Sequence, residues 1–310
     1  MKIAHESPLA LLEESKLFND YDYAVAPLLN GDTSYYEFFV ESLKKGREVI
    51  IDNGIEDPLE LADYVTAIRK LIKDSKLTDD KKLTYVFPFI PDGCDETTKG
   101  IKEFLKRFKK IPCRSMAIIQ GTSFLDLFKS FHDIYPFADK IGIPINSKAY
   151  EDFFETMQPQ ISLLEKQTHG RQLLIEQMYH AGWLVKDKPL HLIDIGLPNE
   201  YGYYIHKHAE LSEFIETANT IDPIVQGVNG VEYNNPVILK EKQLESRIDT
   251  LSRIASETPV QLAVQLAVQN IRVFRVINNL PPRSLRTGAV LPATNALSSI
   301  LIPANAPSRR

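Results

Sequence analysis

The stretch "REVIIDNGIEDPLELADYVTAIRKLIKD" (Arg47–Asp74) holds a complete structural unit. Val49, Ile50 and Ile51 form a short β-branched run of the kind that fills a buried strand. The run stops abruptly on Asp52, Asn53 and Gly54. An Asp-Pro pair then opens an amphipathic stretch with helical spacing, which predicts a helix directly after the strand. A strand ending on a carboxylate, an amide and a glycine has either reached water or reached a place where chemistry is done. The rest of the chain bears on that choice.

The same unit recurs. Short apolar runs bounded by turn residues occur at "KIAHE" (2–6), "DYAVAPL" (22–28), "EVIIDN" (48–53), "TYVFPF" (84–89), "SMAIIQ" (115–120), "KIGIPI" (140–145), "LHLIDIG" (190–196) and "FIETANT" (214–220). Amphipathic stretches separate them, among them "SPLALLEESKLF", "TSYYEFFVESLKKG", "DETTKGIKEFLKRFKK", "TSFLDLFKSFHDIY", "GRQLLIEQMYHAGW" and "PNEYGYYIHKH". The segment 147–170 is longer than a connection needs and predicts an added helix. A last helix is expected within 260–278. Regular alternation of strand and helix predicts a parallel sheet. Eight such units in 310 residues favour an α/β fold closed as a (β/α)8 TIM-type barrel over an open doubly wound sheet. No glycine-rich phosphate loop follows any strand, which counts against a nucleotide-binding open sheet.

Composition sets outer limits. Hydrophobic residues make up 44% of the chain and charged ones 25%, the balance of a globular protein. The net charge of −5 provides no global field for a polyanion. Cys94 and Cys113 cannot build a disulfide framework, which predicts a reduced, cytoplasmic setting. No signal peptide and no membrane span are expected. Residues 280–310 carry five prolines, four arginines and no acidic residue, leaving −9 on the first 279. This divides the chain into a barrel, 1–279, and a basic tail, 280–310, expected to be flexible or to dock on a partner.

In a barrel of this kind chemistry sits at the C-terminal strand ends. Those ends carry His5 and Glu6, Asp52 and Asn53, Asp92, Gln120 and Gly121, Asn146, Asp194 and Gly196, then Asn219 and Asp222. Carboxylates gathered at one mouth repel one another unless a proton, a cation or a substrate donor offsets them, so such a set points to a site. The plainer readings are helix caps and turns, with Asp52 capping the next helix and Asp95 serving the turn after Asp92. A metal centre is not expected. His169, His180, His191, His206 and His208 are too scattered for a helical ligand pair. Neither cysteine lies near an obvious base, and the lysine-rich run 102–110 reads as a solvated helix face.

The order of these motifs resembles the tRNA-guanine transglycosylase superfamily, nearest its phage-encoded 7-deazaguanine DNA transglycosylase-like branch. The resemblance rests on "EVIIDNG", "FPFIPDGCDE", "AIIQGTSFLDLFKSF", "KIGIP", "HLIDIGLPNE" and "IETANTIDPIVQG" and covers about residues 1–278. It implies a pentosyltransferase that exchanges a 7-deazaguanine-type base into a nucleic acid, DNA before tRNA, without a cofactor, in the host cytoplasm. It would make Asp52 the proton-transfer group. Asn53, Gly54, Asp92, Gln120, Gly121, Asp194, Gly196 and Asn219 would contact substrate. The position of the family's nucleophile is Asn219, an amide, which leaves Asp222 as the nearby carboxylate. That departure, with the basic tail, keeps open a barrel retained for binding or assembly, with a homo-oligomer among its forms. A third reading is an unrelated barrel hydrolase using paired carboxylates.

Overall fold

The computed structural model describes residues 1–54, 58–108, 110–195, 197, 199–228, 260–278 and 280. The strands are β1 (Lys2–His5), β2 (Asp22–Val25), β3 (Val49–Asp52), β4 (Leu83–Val86), β5 (Arg114–Ile118), β6 (Lys140–Ile143), β7 (Leu190–Leu192) and β8 (Ile215–Thr220). All are parallel and lie in the order β1-β8-β7-β6-β5-β4-β3-β2. The sheet curls into a nearly closed (β/α)8 barrel, as the alternating sequence predicts. Each strand is shorter than its apolar run because the residues after it already turn toward the following helix.

The helices in chain order are α1 (Leu12–Lys16), α2 (Ala26–Gly31), α3 (Thr33–Lys44), α4 (Leu61–Ser75), α5 (Cys94–Arg107), α6 (Phe124–Ile134), α7 (Lys148–Met157), α8 (Leu163–His180), α9 (Glu200–Gly202), α10 (Ala209–Ser212), α11 (Asp222–Val228) and α12 (Val260–Ile277). The added helix expected within 147–170 is α7, followed by the first turns of α8. Ser162 starts α8 with a reciprocal capping box to Glu165. Two expected starts fall elsewhere. The Ser7-Pro8 pair caps no helix, since the Ser7 hydroxyl donates back to the His5 carbonyl at 3.1 Å. Helix α4 begins at Leu61 rather than at the Asp-Pro pair. Asn53 explains this: its side chain accepts from Leu59 N–H (3.1 Å) and donates to Leu59 C=O (2.9 Å), so the chain is held in a loop up to that point.

The core has the two layers such a barrel requires. Ile3, Ala24, Ile51, Tyr85, Ile119, Ile141, Leu192 and Ala218 face outward against buried helix residues such as Phe39, Ile68, Phe104 and Leu174. Ala4, Tyr21, Tyr23, Ile50, Val86, Met116, Ile118 and Ile193 fill the interior. One seam lacks a strand ladder. β1 and β2 are not paired, and the chain just before β2 takes the ladder's place with side chains. The Asn19 amide accepts from His5 N–H (2.8 Å) and donates to His5 C=O (3.3 Å). The Asp20 carboxylate accepts from Ile3 N–H (2.9 Å), and Asp20 N–H donates to Ile3 C=O (2.8 Å). Tyr21 adds a strut across the interior by donating its hydroxyl to Ala218 C=O (2.7 Å).

The final helix α12 lies against α11 at Gly227, where a Cβ would sit 2.4 Å from the Ala267 nitrogen. Arg275 reaches from it to the Phe18 carbonyl (2.9 Å). Among the described residues no helix is long and apolar enough to cross a membrane. Of the tail 280–310 only Leu280 is among the described residues.

Candidate active site

Strand alternation decides which side chains enter the barrel. On β1 and its end the inward residues are Lys2, Ala4 and Glu6. On β3 and the residue before it they are Glu48, Ile50 and Asp52. Both strands therefore run from a charge at the N-terminal end, through an apolar or small residue, to a carboxylate at the C-terminal end.

The N-terminal end is a floor of ion pairs. Lys2 Nζ donates to Glu48 (2.7 Å), and Glu216 pairs with both Lys140 (2.7 Å) and Arg114 (3.2 Å). Glu216 is available there because a register shift follows Leu190: that residue pairs with Ile215 while His191 pairs with Thr217. Burial lowers the Lys140 ammonium to about 8 against the pull of Glu216. Burial would raise the Glu216 carboxyl, but its two cations outweigh it and hold it down to about 2.

The C-terminal end collects carboxylates around two aromatic rings. Tyr23 and His191 stack with centroids 6.0 Å apart and planes 17° from parallel. The Tyr23 hydroxyl donates to Asp52 Oδ2 (3.2 Å). His191 Nε2 lies 2.9 Å from Asn219 Oδ1, and Asn219 Nδ2 donates to Glu6 and, at 3.3 Å, to Asp194. Glu6 and Asp194 thus accept from one nitrogen. Burial, with Lys140 nearby, pushes the His191 imidazole well below its ordinary range, so the ring is neutral. Asp194 holds φ of 53° and Asp92 φ of 58°, a backbone state that a side chain rarely adopts without a reason. Arg171, fully buried on α8, keeps Asp194 there. It donates to the Asp194, Ile193 and Ile143 carbonyls and pairs with buried Glu200 (2.6 Å).

The expected site residues therefore separate into groups. Glu6, Asp194 and Asn219 come together, and Asp52 joins them through Tyr23. Asp92 and Gln120 form a second pair, in which Gln120 Oε1 accepts from Asp92 N–H (2.9 Å) and Asp92 Oδ1 accepts from Lys148 N–H (3.3 Å). Asn53 is the loop clamp described above. Gly54 has φ of 74° and donates its N–H to Asp52 Oδ1 (3.1 Å), which turns the chain away from the strand. At Gly121 a Cβ would lie 2.5 Å from Asp126 Cβ, so this glycine lets α6 approach the sheet. Asp222 opens α11 and accepts from Gln226 one turn on (3.1 Å). Asn146 is exposed, and Gly196 lies outside the described residues. Tyr23, His191 and Thr217 are the members that reading strand ends overlooks. Their signal was parity: His191 sits mid-strand between two buried leucines, and therefore inside the barrel.

The remaining donors fit structural uses. His206 Nε2 meets the Asn278 carbonyl (2.8 Å), and His208 lies 3.4 Å from Glu210. Among the described residues Cys94, Asp95 and Asp133 bring ligand atoms within 4.8 Å of one another. The Lys129 ammonium already pairs with both of those carboxylates. Burial raises the Cys94 thiol, and raises Cys113 to about 12, so both stay protonated.

No protein-family model and no curated protein matches the chain. Solved structures do. One is a DHDPS from Cyanidioschyzon merolae with lysine bound, at 13% identity, covering 90% of this chain and 97% of that one, with a TM-score of 0.39. Another is N-acetylneuraminate lyase from Mycoplasma synoviae, at 9% identity, 89% and 96% coverage and a TM-score of 0.40. A third is active domain 2 of a thermostable chitinase from Pyrococcus furiosus, at 10% identity, 88% and 95% coverage and a TM-score of 0.40. Likeness this distant carries no argument about the reaction.

These results correct the expectation of a transglycosylase. No family match supports it, and the similar structures are two of lyase or DHDPS type and a chitinase. The readings that depended on it, a pentosyltransferase and 7-deazaguanine exchange on nucleic acid by a phage enzyme, fall with it. The ordered motifs that suggested it are the ordinary strand ends of an eightfold barrel. At the decisive position Asn219 is a buried amide that bridges a histidine to two carboxylates.

Proposed function

We propose that the protein is a hydrolase working by carboxylate acid–base chemistry on an uncharged, hydroxyl-rich substrate, with the glycosidic acetal as its bond. The observation that carries this reading is the shared contact of Glu6 and Asp194 with one amide nitrogen of Asn219. Two carboxyl groups held that close can flank a single bond. Glu6 is 1% exposed and Asp194 is half-buried, so Glu6 is the proton donor and Asp194 the nucleophile. As the acetal C–O bond breaks, Glu6 protonates the departing oxygen. Asp194 bonds to the sugar carbon as that oxygen leaves, and water then displaces Asp194 from the carbon, giving its proton to Glu6.

Two features support the substrate class. Among the described residues the strand ends bring mainly carboxylates and amides: Arg171 at that end is neutralised by Glu200, Lys148 is exposed, and Lys2, Arg114 and Lys140 lie at the opposite end. The carboxylates of Glu6, Asp52 and Asp194 disfavour an anionic group beside them. Acetal hydrolysis also needs only a proton donor and a second carboxylate, whereas ester or amide cleavage needs an oxyanion site. Both thiols are protonated and so are poor nucleophiles.

The test is release of chromophore from a panel of aryl glycosides of neutral sugars, run with Glu6→Gln and Asp194→Asn. Hydrolysis that falls about 100-fold or more in each variant supports the reading. No hydrolysis by folded wild-type protein across the panel, or hydrolysis indifferent to both changes, overturns it.

A further inference from the structure

One chain of hydrogen bonds crosses the barrel interior from the floor to the mouth. Lys140 Nζ, paired with Glu216, donates to Thr217 Oγ1 (3.0 Å). Thr217 Oγ1 lies 2.8 Å from His191 Nδ1, His191 Nε2 lies 2.9 Å from Asn219 Oδ1, and Asn219 Nδ2 reaches Glu6 and Asp194. Lys140, Thr217, His191 and Asn219 are each at most 2% exposed, so water does not compete for these bonds.

The direction of each bond follows from the atoms. An ammonium can only donate, so Thr217 accepts from Lys140 and its single hydroxyl proton is left for His191 Nδ1. A neutral imidazole accepting at Nδ1 carries its proton on Nε2, which suits the carbonyl oxygen of Asn219. That oxygen also accepts from Asp194 N–H (3.4 Å), and the amide's N–H bonds then have only carboxylates to meet. Reversing any one link would set two donors or two acceptors against each other in a buried site.

We infer that the Lys140–Thr217–His191–Asn219 column has a single polarity, which locks His191 as the Nε2–H tautomer and makes Asn219 the positioning residue that aims its amide at Glu6 and Asp194. The column deepens the acid–base reading above and rests on it only for its effect on rate. Charged and titratable groups face His191 on every side: Lys140 and Glu216 from below, Arg171 from α8, Tyr21 from just before β2 and Tyr23 from β2. The column makes the lysine–glutamate pair at one end a determinant of hydrogen-bond direction at the other. Neither touches substrate.

Nitrogen-15 NMR of the full-length protein tests the tautomer without any substrate. The expected spectrum shows His191 as Nε2–H, unchanged between about pH 7 and 5. Thr217→Val removes the proton given to Nδ1 and should shift the Nδ1 resonance, while Thr217→Ser should restore it. An Nδ1–H tautomer, or an imidazolium forming in that pH range, overturns the column. If hydrolysis is found, Thr217→Val should lower kcat at least tenfold with little change in KM and move the acid limb of the pH profile, and Thr217→Ser should recover both. A loss confined to KM would overturn the positioning role. The expected tautomer in a protein without hydrolase activity would uphold the column and sink the function proposed above.

Discussion

Asp194 joins function and strain in one residue. Its φ of 53° belongs to the left-handed region, which asparagine tolerates about as well as aspartate and alanine does not. Asp194→Asn should therefore keep the fold, with a urea midpoint near wild type, while removing the nucleophile and about 100-fold or more of any hydrolytic rate. Asp194→Ala should lose the rate and also about 1 kcal/mol or more of stability. Equal destabilisation by both substitutions would show that the backbone conformation is not what the side chain maintains. Sequence made Asp194 and Asn219 visible, because a polar residue at the end of an apolar run stands out. It did not make His191 and Thr217 visible as members of the same group. A histidine between leucines looks like a core residue until strand parity turns it inward and the neighbouring threonine arrives from a strand 26 positions away.

At the scale of elements, the β1–β2 seam is where this fold departs from a continuous ladder. The strands and their order were legible, since eight apolar runs alternate with amphipathic helices. The seam was not, because Asn19 and Asp20 read as an ordinary turn before a strand. Asn19→Ala leaves the His5 N–H without its buried acceptor and should cost about 1–3 kcal/mol, read as a lower denaturant midpoint. A similar substitution at exposed Asp152, in α7, should change little. The contact of α11 with α12 makes a second expectation. Gly227→Val would press a branched side chain into the Ala267 backbone and should cost about 1–3 kcal/mol. If α12 were merely resting on the barrel, this change would leave the midpoint where it is.

For the molecule as a whole, buried imidazoles set the response to acid. Burial holds His5 down to about 4 from an ordinary 6.5, and His191 well below that ordinary value. Below pH 6.5 the unfolded chain therefore binds protons that the folded chain refuses, and stability falls as pH falls toward 4. Glu216 adds a second window. Its carboxyl is at about 2 when folded and 4.5 when unfolded, so its contribution is complete above 4.5 and is lost as pH drops toward 2. Urea midpoints measured from about pH 7 downward should decline through both windows, and His5→Gln should flatten the upper one. An unchanged slope in that variant would mean that His5 takes up its proton without disturbing the fold.

Barrel closure also fixes an order in time. Strands β2 to β7 each pair with the strand next in sequence, so they can assemble in the order in which they leave the ribosome. β1 cannot. It is made first, yet among the described residues its ladder partner is β8 alone, with Lys2 opposite Thr217 and His5 opposite Thr220. Until about two-thirds of the chain has been synthesised, Glu6 has no Asn219 to meet, and the first strand must wait with its edge unpaired. The Asn19 and Asp20 side chains, only a few residues downstream, can cover that edge during the wait. The seam that looks like an imperfection of the finished barrel is the one part of β1's pairing available to a nascent chain.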